Sequence, residues 1–142
     1  MSLTNVWVQT LGDGLVRADQ IAGIDAHQTP ALSGKPSRWL LDVIASIPTG
    51  SGSRYGWTIT ALHRTVTQTA ENPGTAPAEL ARLLAQLDAI EARGIVTAER
   101  ARPDEADGGP AGRAAGGGGP VHFRFAPFAQ PAPGRRSDAE YL

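Results

Sequence analysis

The sequence predicts an α+β domain, in which a small antiparallel sheet of about four strands is covered by one amphipathic C-terminal helix and followed by a disordered tail. Three stretches support this prediction. Residues 38–48 alternate apolar side chains as a strand does, and residues 80–90 repeat leucine and isoleucine at helical spacing. Residues 97–142 contain 8 Gly, 6 Pro and 10 Ala among 46 positions, a composition typical of a linker or tail.

The stretch 38–48 is predicted to be a central strand. Its residues of one parity are all apolar and would share one face of an extended chain: Trp39, Leu41, Val43, Ala45 and Ile47. The other face is only half apolar, and Asp42 on that face is expected to point to solvent. Pro48 ends the strand because it removes a backbone donor.

The first 37 residues predict short strands joined by turns. Residues 6–11 and 15–17 form a hairpin around Gly12-Asp13-Gly14, since Asp-Gly between apolar runs is a strong hairpin signal. A helical turn is expected over 18–21. A further strand then follows at 24–28, with a bulge or bend at Gly23. Residues 29–37, with two prolines and a glycine, predict a loop.

Residues 49–56, rich in Gly and Ser, predict a mobile loop between two paired strands. The second of these strands is expected at 57–62. Residues 65–69 either continue it or belong to a helix, since Leu62, Val66 and Ala70 would also share a helix face. A helix over 76–93 follows, with its N-cap at Thr75 or Ala76 and its end at Arg93-Gly94.

The leucine stripe of this helix is expected to lie on the Trp39 face of the sheet. Ile95 and Val96 then pack against the end of the helix. The domain is therefore predicted to span 1–96 and the disordered tail 97–142.

Composition excludes several classes of function. The chain has no cysteine, which excludes disulfides, zinc–thiolate sites and thiol nucleophiles. Residues 1–96 hold 7 basic and 8 acidic side chains, so phosphate-backbone binding has no electrostatic support. Neither a signal peptide nor a membrane-spanning apolar run is recognisable, and a bacterial cytoplasmic protein without membrane contact is expected.

No constellation of residues predicts catalysis, a cofactor or a metal. His27, His63 and His122 lie in separate segments without a zinc-ligand spacing, and are interpreted as isolated surface or boundary histidines. An acid pair drawn from Asp19, Asp25 and Asp42 is the least favoured hypothesis. The protein is therefore predicted not to be an enzyme, and no small-molecule substrate is identified.

The aromatic segment 121–128 is the sharpest positive signal, because it holds all three phenylalanines of the chain. The residues expected to bind a partner are Val121, Phe123, Arg124, Phe125 and Phe128. The functional interpretation is a tethered motif that adds a strand to the sheet edge of a protein partner or a second copy. The alternative is that the segment folds back on its own domain as an extra strand.

The sequence thus favours a non-enzymatic interaction or accessory module. The alternative function is a small nucleic-acid-binding β domain, in which tryptophans stack on bases. The candidates for stacking are Trp7, Trp39 and Trp57, but such a sheet also needs surrounding cations.

Overall fold

The computed structural model describes residues 3–12, 14–46, 51–54, 57–60, 62–100 and 120–130. Its elements, in chain order, are β1 (Val6–Gln9), β2 (Leu15–Arg17), β3 (Ile21–Gln28), β4 (Trp39–Ala45), β5 (Ser51–Arg54), β6 (Trp57–Thr60), β7 (His63–Thr69), α1 (Ala76–Ala89), β8 (Gly94–Arg100) and β9 (Val121–Pro127). Short 3₁₀ turns at Leu3–Asn5 and Ala18–Gln20 precede β1 and β3. The described residues form strands and one α-helix, which confirms the predicted α+β class.

The strands form two main sheets, so the prediction of a single antiparallel sheet was wrong. One sheet has the order β2-β1-β8-β9 and the other β3-β4-β7, while β5 and β6 pair separately. β1 and β8 run parallel, with Val6 opposite Gly94, and the other strand pairs are antiparallel. Alternation along a strand reports which residues share a face but not which strand lies beside it.

β4 is the central strand of the three-stranded sheet, as predicted. Leu41, Val43 and Ala45 on its inner face are at most 3% exposed. The pairing of β3 with β4 shifts register between Ile21 and Gly23, which confirms the expected bulge.

α1 fills the space between the two sheets. Its buried leucines Leu80, Leu84 and Leu87 belong to one core cluster with Val43 of β4 and Val96 of β8. The leucine stripe thus shares one core cluster with Val43 on the inner face of β4, the face on which it was expected to lie, and with residues of the second sheet. Pro77 lies in the first turn of the helix, where its missing N–H costs no hydrogen bond.

α1 ends four residues earlier than predicted. Its last residue is Ala89, and Glu91 takes the left-handed conformation that the sequence assigned to Gly94, with a φ of 51°. Gly94 instead begins β8. A left-handed residue after a helix is usually glycine, because a side chain crowds the backbone in this region.

Replacing Glu91 with glycine is expected to stabilise the protein by about 0.5–1 kcal/mol, since the φ strain is relieved at some cost in chain entropy. A thermal melt measures the rise in Tm. Glu91→Ala is the control, because it removes the charge and keeps the strain, and it should melt near the native protein. A lower Tm for Glu91→Gly would contradict this account.

β8 and β9 extend beyond the predicted domain boundary. β8 continues past Val96 to Arg100, and β9 pairs with it along seven residues. Of the predicted tail, residues 101–119 and 131–142 lie outside the described residues, as does Asp13 of the predicted turn. The predicted loop 49–56 contains β5, and its remaining residues are also outside the described part.

None of the helices that the structure describes has the length and apolar character needed to cross a bilayer.

Candidate functional site

β9 holds the aromatic segment as the edge strand of the four-stranded sheet. Its register with β8 runs from Gly94 opposite Pro127 to Arg100 opposite Val121. Val121 is fully buried, and Phe123 and Phe125 pack against the core from the same face of the strand. The alternation that the sequence showed thus has its apolar face turned toward α1.

The two remaining residues of the predicted partner site are exposed. The Arg124 side chain is 72% exposed, and its Nη1 lies 3.7 Å from Oε1 of Glu99 on β8. Phe128, just after the strand, is 48% exposed. The structure therefore divides the predicted site residues between an inner apolar face and an outer, solvent-facing set.

Gly94 allows β9 to approach closely. A Cβ at this position would overlap the carbonyl oxygen of Ala126 and lie 2.8 Å from the ring of Phe125. The ring therefore covers the space that a side chain would fill, an arrangement in which an aromatic residue compensates for a glycine in a sheet.

The backbone of β9 alternates between bonding to β8 and facing outward. The Phe128 N–H donates to the carbonyl of Arg93 at 2.9 Å, one residue beyond the last strand pair. In an antiparallel ladder the bonded residues alternate, so the backbone groups of Val121, Phe123 and Phe125 point away from β8. Pro127 also takes an outward position, where its missing N–H breaks no ladder bond.

The outer edge of β9 has no partner strand within the described ranges. Beside its end, Phe128 and Ile90 line a cleft of about 590 Å³ between the end of α1 and the end of β9. Ile90 is 73% exposed, so two large apolar side chains stand exposed in a cleft that polar residues also line. An unpaired strand edge with exposed apolar side chains beside it is a feature of protein-binding surfaces.

The outer face of the same sheet carries one of the tryptophans considered for stacking on nucleic-acid bases. Trp7 lies there between Arg17 of β2 and Ile95 of β8, as a stacking residue would. Arg17 is bound to Asp19 at 2.6 Å, and Arg124 lies next to Glu99. Each of these two arginines has an acidic neighbour, so neither adds the unpaired positive charge on which nucleic-acid binding depends.

A second group of polar residues surrounds Asp42 on the outer face of β3, β4 and β7. The prediction that Asp42 points to solvent was wrong, because its side chain is only 4% exposed. Its Oδ2 lies 3.6 Å from Nδ1 of His27 and 3.7 Å from Nδ1 of His63. Its Oδ1 is buried and accepts no hydrogen bond from any residue that the structure describes.

The strand order brings these residues together. β4 lies between β3 and β7, so His27 and His63, interpreted from sequence as isolated, approach Asp42 from opposite neighbouring strands. Asp25 is the register partner of Asp42, and its Oδ2 lies 3.7 Å from His27 Nδ1. Two of the three acids considered from sequence therefore meet, and Asp19 binds Arg17 instead. We call Asp25, His27, Asp42 and His63 the Asp42 cluster.

The Asp42 cluster does not form a metal cage. No group of three or more His, Asp or Glu side chains in the described part of the chain is placed to hold a metal ion. His122, the third histidine, lies on β9 in the other sheet.

Comparison with known protein families, with curated proteins and with solved structures finds no match for this chain.

Proposed function

We propose that this protein is a non-enzymatic protein-interaction module and that β9 is its contact strand. One observation supports this function: β9 is an edge strand whose outward backbone groups, at Val121, Phe123 and Phe125, have no partner among the described strands. Such an edge accepts another strand through main-chain hydrogen bonds. The cytoplasmic location expected from the sequence is part of the proposal.

The occupant that fits this edge is a second copy of β9. If two copies pair antiparallel about Phe123, each Phe123 faces its counterpart and each Val121 faces Phe125 of the other copy. Every outward residue in this register retains its N–H. Pairing about Phe125 would place Pro127 in the ladder and lose donors. The available backbone N–H donors of β9 therefore favour the register centred on Phe123, which gives a two-fold symmetric dimer.

Sedimentation velocity over a concentration series, combined with amide hydrogen exchange on the full chain, tests this proposal. We expect a dimer at high concentration, with the amides of Phe123 and Phe125 protected only there. The amides of His122 and Arg124 point toward β8 and should be protected at every concentration.

His122→Arg is the informative variant. In the Phe123-centred dimer, residue 122 faces Arg124 of the other copy twice by symmetry, and like charges directly opposite weaken a strand pair. Dimer affinity should fall roughly threefold to tenfold. The fold should persist, because residue 122 is the register partner of Glu99. His122→Gln controls for loss of the imidazole and should dimerise normally.

Two outcomes would overturn the proposal. In the first, the chain stays monomeric while the amides of Phe123 and Phe125 exchange rapidly at all concentrations. In the second, both amides are protected in the monomer, which would mean that the chain covers its own edge.

A further inference from the structure

Hydrogen-bond acceptors outnumber donors in the Asp42 cluster. An ionised carboxylate only accepts, through about four lone-pair sites, and an imidazole supplies at most two N–H donors. Asp25 and Asp42 contribute two carboxylates, against two imidazoles. The contacts of 3.6 and 3.7 Å between Asp42 Oδ2 and the imidazoles are longer than hydrogen bonds.

The position of Asp42 has no evident structural purpose. A buried polar atom without a partner destabilises the folded state, and Oδ1 of Asp42 is such an atom. Asp19, by contrast, makes an ion pair of 2.6 Å with Arg17. An apolar residue on β4 would avoid the unpaired oxygen, since its neighbours on this face include the half-buried Leu40 and Ile44. Acids held at a cost to stability are characteristic of binding sites.

We propose that the Asp42 cluster binds a donor-rich organic cation, a guanidinium or a primary ammonium group. A guanidinium carries five N–H donors and no acceptor, which complements the surplus of acceptors. Its planar fork donates to a carboxylate through two parallel bonds. Asp42 is the anchor, and Asp25, whose side chain is 48% exposed, supplies a second carboxylate at the rim.

The two histidines are the movable walls of this site. Their side chains are 44% and 56% exposed, and neither is within hydrogen-bond distance of Asp42. They can therefore turn aside to admit a flat cation and then stack against it. The cation is either a free small molecule or an arginine side chain of a second copy of this chain, since both present the same group.

This site is independent of the proposed function. The Asp42 cluster lies on the three-stranded sheet, whereas β9 belongs to the four-stranded sheet. If β9 does not pair with a second copy, the Asp42 cluster can still bind the cation. If the cluster binds no cation, β9 can still pair.

Titration of the full chain with methylguanidinium chloride, followed by NMR of the imidazole carbons and by calorimetry, tests the proposal. We expect saturable shifts at His27 and His63. His122 is an internal control, because it is exposed on β9, which belongs to the other sheet, and it has no ion pair with Asp25 or Asp42. Tetramethylammonium chloride, which carries charge but no N–H donor, should leave all three histidines unchanged.

Asp42→Asn should weaken methylguanidinium binding at least about tenfold, since a charged acceptor is lost. Asp19→Asn is the matched control and should bind normally. If Asp42→Asn does not fold, Asp25→Asn serves, because this half-exposed residue is not part of the core, and it should weaken binding severalfold.

Three results would each overturn the proposal. The Asp42 and Asp25 variants could bind methylguanidinium as tightly as the native protein does. His122 could shift as much as His27 and His63, or tetramethylammonium could shift the histidines as much as methylguanidinium does. The mass of the protein distinguishes the two sources of the cation. If methylguanidinium dissociates a protein dimer, the native occupant is an arginine of a second copy. If methylguanidinium binds saturably and the mass of the protein stays the same, the native occupant is a free small cation.

Discussion

A chain that ends at Val96 is expected to lose roughly 3–5 kcal/mol of stability, because β9 and the end of β8 are removed together. Val121 is fully buried, and Phe123 and Phe125 pack on the core from the same strand. In a domain of this size the loss lowers Tm by more than about 10 °C. Thermal melts followed by circular dichroism measure the difference.

A chain ending at Gln130 is the control for length, because it keeps all of β9 and should melt close to the full chain. Within the full chain, Val121→Ala and His122→Ala separate burial from strand length: the first should melt lower and the second should not. An unchanged Tm for the chain ending at Val96 would show that β9 contributes nothing to the fold, and the segment would then be free to act as the tethered motif expected from sequence.

Gly94→Ala is expected to cost about 2–3 kcal/mol, which is the range of overpacked sites in a rigid core. The new Cβ would overlap the backbone carbonyl of Ala126 and crowd the ring of Phe125. The ring can rotate, but the carbonyl can move only if β9 shifts away from β8. Denaturant unfolding measures the loss, and faster exchange of the His122 and Arg124 amides would locate it in this strand pair.

Gly12→Ala is the matched control, because a Cβ at Gly12 meets no atom within 4 Å. It should leave stability nearly unchanged. If Gly94→Ala were equally harmless, the close approach of β9 would not be needed for stability, and the sheet would tolerate an outward movement of its edge.

The sequence predicts well those elements whose apolar residues repeat regularly within a short stretch of chain. β4 and α1 each show an unbroken apolar period, and both lie where that period places them in the core. β2 and the bulge at Gly23 also follow from turn chemistry over a few residues. In these segments, the local sequence pattern and the tertiary packing favour the same secondary structure.

The features that the sequence does not predict depend on pairing between distant segments. The parallel contact of β1 with β8 joins strands that lie far apart in the sequence, with Val6 opposite Gly94, and no local pattern encodes it. The sequence shows the alternation of β9 but leaves open whether this strand pairs with its own domain, because its partner β8 lies more than twenty residues earlier, across a stretch rich in Gly, Pro and Ala. The burial of Asp42 depends on side chains contributed by β3 and β7, so its position in its own strand gave a wrong expectation.

The parallel pairing of β1 with β8 has a consequence during synthesis on the ribosome. β1 can pair with β2 as soon as the first hairpin emerges, but its other neighbour is made only after β7 and α1. Until then the buried positions Val6 and Val8 have one side uncovered. Closing so long a stretch of chain is slow, because its entropy is lost before the contact forms. The nascent chain therefore passes through a stage in which its first strand is a target for chaperones or for mispairing.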